Sequence, residues 1–331
     1  MASGYALTNF PNGISSFGIP VFGGSIPPFT GQYLFVDYVN GSDGNDGSPG
    51  TPMKTLAAAY AKTTSGNNAV IFIVGDGSTT ATQRMSATLT WANNATHLIG
   101  LTAPSLFGQR ARISNLTTAT AEINPMLTVS GSGCIFANFS LFQGVGEASA
   151  AEQLVTITGK RNSFSRVQFG GMGATASSGG AAAATSYCIN FGSGGEENTF
   201  EDCTIGLDTI SRTAANASVK FTAGAGAARN VFRRCIFPLY TTSSTPYYVD
   251  ASGVGSTDRQ NIFQDSYFYN AINSGSSVLA AAVNPPVGGG TLVFDNCRSV
   301  GVTAWSGASA YVYVTTPTGP TSGVGGIGSH Y

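Results

Sequence analysis

One phrase returns down this chain, and it leaves few folds open. It reads Asn198-Thr199-Phe200-Glu201-Asp202-Cys203-Thr204-Ile205, then Asn230-Val231-Phe232-Arg233-Arg234-Cys235-Ile236-Phe237, then Asn261-Ile262-Phe263-Gln264-Asp265-Ser266-Tyr267-Phe268. A fourth copy is Leu292-Val293-Phe294-Asp295-Asn296-Cys297, and weaker ones sit earlier around Phe164 and Phe136. The anchoring aromatics Phe136, Phe164, Phe200, Phe232, Phe263 and Phe294 are separated by roughly 31 residues on average, a period that marks repeat architectures. A second short apolar segment precedes each copy: Met126 to Val129, Leu154 to Thr158, Tyr187 to Phe191, Val219 to Thr222, Tyr247 to Asp250 and Val278 to Val283. A last one, Tyr311 to Val314, follows the final copy. Apolar and polar residues alternate with a period of two, and Gly- or Ser-rich turns bound each piece, so these are strands.

Such a repeat predicts a solenoid in which each coil of two or three strands climbs about 4.8 Å. Equivalent positions then stack. The six phenylalanines form one internal aromatic stack, with Cys203 and Cys235 aligned beside it. The five Cys have no metal-like spacing and read as reduced, buried small hydrophobes rather than disulfides. Polar inserts such as Gly170 to Ser186 and Tyr240 to Pro246 should leave the coil at its turns. A propeller is the rival repeat fold, but its blades usually take about 40 residues and four strands.

Composition agrees. Charged residues are 9% of 331, with net charge -1, so the basic face that nucleic-acid binding needs is absent. Disorder is excluded by 20 Phe and 13 Tyr in recurrent clusters. No apolar run reaches the roughly 18 residues of a membrane span. MASGYALTNF has neither the basic start nor the apolar core of a signal peptide, so synthesis in the cytoplasm is the expectation.

The front end differs. Tyr33 to Asp37 reads as a strand, and Asn40 to Gly47 as a turn. Thr51 then serves as N-cap and Pro52 as the first residue of an amphipathic helix running to Lys62. A helix there would cover the open strand edge of the solenoid. The phrase VDYVNGSDGNDGSPGTPMKTLAAAYA resembles the opening of pectin-lyase-like right-handed parallel β-helix proteins, and Val70 to Gly75 and His97 to Leu101 resemble that fold's first coils. The resemblance implies an all-β, single-stranded right-handed parallel β-helix. The expected organisation is an extended arm over 1–31, strand, turn and capping helix over 32–66, the β-helix over 67–315, and a tail over 316–331. The superfamily spans lyases, hydrolases, tailspikes and non-catalytic virion proteins, so the fold does not fix an activity.

LTNFPNGISSFGIPVFGG resembles the N-terminal phrase of tailed-bacteriophage head-associated proteins, which implies an arm docking on a virion partner through Phe10, Ile14, Phe17, Ile19 and Phe22. Catalytic chemistry is harder to find. His97 lies in an apolar strand and His330 in the tail. Glu201 and Asp202 read as a cross-coil ion pair with Arg233 and Arg234. Asp43, Asn45 and Asp46 miss the EF-hand spacing and read as a polar turn rather than a cation site. The sequence expectation is therefore a structural phage protein and not an enzyme, with no catalytic residues, no metal and no cofactor. It would be a capsid decoration or cement protein or head fibre on the head exterior. Its partners would be the major capsid protein or other virion proteins, in a three-fold homo-oligomer, with no nucleic acid and no membrane. The alternatives are a tailspike-like polysaccharide depolymerase, lyase or hydrolase, and a non-catalytic module binding surface glycans.

Overall fold

The computed structural model describes residues 31–78, 80–116, 123–144, 151–173, 180–271 and 277–315, with two short strands at Ser15–Ser16 and Ile19–Pro20. The chain is a parallel β-helix built of three sheets, of ten, nine and seven strands. Each coil visits them in turn, as in Leu127–Val129 of the third sheet, Ile135–Ala137 of the first and Ser140–Phe142 of the second. The eight-residue phrase is thus two strands and a corner. The corner residue stands in the left-handed region in every copy, at Asn138, Arg166, Asp202, Arg234, Asp265 and Asn296. Asn and Asp tolerate that conformation, whereas Arg adopts it at a cost the surrounding coil must offset.

Along the first sheet Phe136, Phe164, Phe200, Phe232, Phe263 and Phe294 pair in register. Their rings stack with centroids 4.7, 4.6, 4.5, 4.6 and 4.8 Å apart in that order. Phe169 and Phe237 from the second sheet and Phe191 from the third meet this stack edge-on or tilted, filling the coil from three sides. In the first coils the same column holds Leu98, Ile71 and Leu34, so the stack continues there in aliphatic form. All five cysteines are free and buried. Cys203, Cys235 and Cys297 approach the carbonyls of Phe164, Phe200 and Phe263 at 3.4, 3.5 and 3.3 Å.

A second internal ladder opens four of the six copies. Asn162, Asn198, Asn230 and Asn261 are buried, and each carboxamide oxygen accepts the backbone N–H one coil earlier, from Cys134, Asn162, Asn198 and Asn230. Their amide nitrogens donate to the carbonyls of Gly131, Gly159, Gly195 and Ala227. The turn backbone, with no sheet partner there, is satisfied by side chains.

Two local expectations change. The helix is Leu56–Ala61, capped by Thr55 rather than Thr51. Met53 bonds to Phe35 and Asp37 on both sides, so the preceding residues are held as an added strand and cannot turn helical until they are past it. Val312–Thr315 pairs with Thr291–Asp295 and so closes the first sheet instead of adding a segment to the third. Between Asn115 and Val283 the longer passages from one coil strand to the next run from the second sheet to the third, and the passage 206–216 is described throughout.

Candidate functional site

The outer surface of the third sheet carries an unbroken polar column. Thr90, Thr128, Thr156, Asn190, Lys220, Asp250 and Asn284 face one another strand by strand across all seven strands. The next residue along each of the first five strands is buried, at Trp91, Val129, Ile157, Phe191 and Phe221, so alternation turns the polar column outward. At about 4.8 Å per coil the column runs roughly 29 Å along the axis. Hydroxyls and carboxamides both donate and accept, which suits a chain rich in hydroxyl groups.

Near one end lies a charged pair. Lys220 Nζ stands 3.8 Å from Asp250 Oδ2, with both side chains partly exposed. Asp250 is fixed further by the backbone N–H and hydroxyl of Ser252 at 3.1 and 2.8 Å. Two coils earlier the Tyr187 hydroxyl is 2.9 Å from the Thr156 hydroxyl, and burial pushes its phenol above the usual value. Beyond Asp250 the column enters an open cavity of about 640 Å³, lined by Ser252, Asn284, Pro286 and Tyr311 among others. The column thus offers an ammonium beside a carboxylate on a linear polar floor, interrupted only at Asn190, which is buried and accepts from the Thr222 hydroxyl. Asp250 is its single carboxylate, whereas glycoside hydrolysis ordinarily uses two.

The connection 206–216 is secured by Arg212, which is buried. Its guanidinium donates to the Asn216 side chain and carbonyl at 2.6 and 2.7 Å, to Ser218 Oγ at 3.0 Å and to the Tyr247 carbonyl at 2.8 Å. Burial lowers its pKa to about 10. So anchored, the connection brings Asp208 to the Tyr269 hydroxyl, which donates to Asp208 Oδ2 at 2.7 Å on the outer face of the second sheet.

The residues singled out in the sequence fall elsewhere. Arg234 contacts Glu201 and Asp202 at 2.7 and 2.8 Å, and Arg233 stands 3.9 Å from Glu201, all on or beside the first sheet. His97 is buried, accepts the Ile135 N–H at its Nδ1 (3.0 Å), and has its pKa lowered by burial to about 4. Asp43 accepts from the Lys54 and Thr55 amides and the Thr55 hydroxyl. Asp46 accepts from Thr51 and Ser48, which hold its carboxyl down at about 2. The turn's carboxylates serve the chain itself, and no group of three or more metal-binding side chains gathers among the described residues. Phe10, Ile14, Phe17, Phe22 and His330 lie outside the described residues, and Ile19 lies in the strand that pairs with Ser15–Ser16.

No family model and no curated protein matches this sequence. Solved structures do. Pectin methylesterase PemA from Erwinia chrysanthemi is 15% identical over 86% of this chain and 80% of that one, with a TM-score of 0.44. ORF18 of Geobacillus virus E2 is 11% identical over 80% of this chain and 57% of its own, with a TM-score of 0.41. The enzymatically active domain of bacteriophage CBA120 tailspike protein 2 is 11% identical over 85% and 44%, with a TM-score of 0.37. Each is a likeness in coiled architecture. The expectation that this chain is not an enzyme rested on a missing sequence motif and is corrected here, since chains of this coiled architecture include enzymes. The physical reason is plain in the structure: stacking brings residues about a coil apart into contact, as with Lys220 and Asp250, so a solenoid site need not leave any motif in sequence.

Proposed function

We propose that this chain is a phage-associated β-helix of the tailspike kind, which binds a surface polysaccharide along its third sheet and cleaves it by elimination. The observation supporting this reading is the seven-residue polar column with Lys220 beside Asp250. With an ammonium and one carboxylate, the column fits proton abstraction beside a sugar carboxyl group better than two-carboxylate hydrolysis. Lys220 neutralises the uronate carboxyl group, which acidifies the neighbouring C–H, and Asp250 takes that proton. The adjacent C–O bond to the next sugar breaks, a C=C bond forms, and the leaving oxygen is protonated from water. Thr128, Thr156 and Asn284, all partly exposed, hold the flanking sugars. Incubation with alginate, polygalacturonate and capsular polysaccharides, read by ultraviolet absorbance of the unsaturated product, tests this. Lys220→Met and Asp250→Asn should each lower the rate at least a hundredfold. Absence of product from every polymer, or product formation unchanged in both variants, refutes it.

The N-terminal resemblance supports virion attachment through residues 1–31, whether to the head as a decoration or cement protein or fibre, or to the tail. Deleting those residues should abolish incorporation into particles while leaving the β-helix folded; undiminished incorporation refutes an attachment role.

A further inference from the structure

The outer face of the second sheet holds a group of side chains that the third-sheet column does not use. Tyr267 and Tyr269, two apart on one strand, point to the same side, with ring centroids 5.6 Å apart and planes 27° apart. They sit between Ile236 and Pro238 of the preceding coil and Arg298 and Val300 of the next. Both rings are partly exposed, so the patch is an apolar, aromatic floor with a guanidinium on one side. Its other side is closed by Asp208, held against the Tyr269 hydroxyl across two coils. That contact needs the connection 206–216 to fold back over the sheet, which Arg212 enforces from within and Leu207 completes by lying over Gly170.

We infer that Tyr267, Tyr269 and Asp208 form a second saccharide-binding site, in which a pyranose ring stacks on the tyrosines and its hydroxyls bond to Asp208. A pyranose presents a C–H face and a rim of hydroxyls, and this patch presents rings with a carboxylate and a guanidinium at its margins. An apolar side chain would offer Asp208 no donor beyond the Tyr269 hydroxyl, and a phosphate would meet its negative charge. The patch lies on a different sheet from the Lys220–Asp250 pair, so it holds polymer without taking part in bond breaking. The inference rests on the proposed function only for the class of ligand.

Affinity electrophoresis in gels containing polygalacturonate, alginate or dextran tests it, using the full chain in an Asp250→Asn background to prevent cleavage. At least one polymer should retard the protein, and Tyr267→Ala with Tyr269→Ala should weaken that binding tenfold or more. Tyr267→Trp should preserve it, and Asp208→Asn should weaken it about threefold. Equal thermal melts of all variants exclude loss of fold as the cause. Retardation unchanged by the double substitution, or absent with all three polymers, overturns the inference. If the Asp250-competent protein cleaves polymer equally well with and without the tyrosines while retardation is unaltered, this site fails and the third-sheet reading stands. If retardation needs the tyrosines but no polymer is cleaved, this site stands and the elimination reading fails.

Discussion

Asn198→Ala is the most direct probe of what holds successive coils together. Asn198 is fully buried; its Oδ1 accepts the Asn162 N–H at 3.0 Å, and its Nδ2 donates to the Gly159 carbonyl at 3.2 Å and to Asn230 Oδ1 at 3.1 Å. Truncation leaves the Asn162 N–H and the Gly159 carbonyl without these partners, while Asn230 Oδ1 keeps the backbone N–H of residue 198. Each orphaned buried group costs about 1–3 kcal/mol. Adding a small void gives an expected loss of about 3–5 kcal/mol. The neighbouring Glu197 is the control, since its partners Arg161 and Arg229 are exposed and such surface pairs add little to stability. Urea titration followed by circular dichroism reads the difference. Solenoid coils can unfold separately, so hydrogen exchange at the coils around Asn162 and Asn198 should accompany it. If Asn198→Ala costs no more than Glu197→Ala, the ladder does not stabilise the coil and this reasoning is wrong.

Acid should weaken the fold through His97. Its folded pKa of about 4 lies below the usual 6.5, so the unfolded chain binds the proton first. The contribution is complete above about pH 6.5 and is lost as pH falls toward 4, by up to about 3 kcal/mol. Melting temperatures of wild type and His97→Asn, which retains an acceptor for the Ile135 N–H, should converge between pH 7 and 5; parallel curves would show that His97 does not titrate in this way. Phe232→Ala opens the aromatic stack at its middle and should cost about 3–5 kcal/mol in the same urea assay, with Phe232→Leu costing clearly less. At Gly170 a Cβ would stand 3.2 Å from Leu207 and 3.3 Å from Phe142, so Gly170→Val should cost about 1–3 kcal/mol and loosen the connection bearing Asp208. Faster proteolysis within 206–216 is the readout, and unchanged cleavage there would refute the packing argument.

The fold was legible where chemistry repeated and illegible where only geometry did. Phe136 to Phe294 announce their column because one distinctive side chain recurs, whereas Leu34, Ile71 and Leu98 fill the same column and pass for ordinary apolar residues. The corner at Asp202 and Arg234 hid in a phrase that reads as one strand, because nothing in those residue types demands a left-handed backbone. Thr51-Pro52 fits a helix start locally, yet the helix begins four residues later because the distant strand at Phe35 claims Met53. The candidate site was the least legible of all. Glu201-Asp202 stand together as adjacent acids in sequence, yet the strand turns Glu201 outward and sends Asp202 into the corner. Lys220 and Asp250 lie thirty residues apart in sequence, and their pairing depends on a register set by buried neighbours such as Val219 and Val249. In a solenoid, residues a coil apart in sequence come together along the axis perpendicular to the strands. A polymer lying along that axis meets one residue per coil, so the informative reading is down a column, and columns exist only once the interior has fixed how the coils stack.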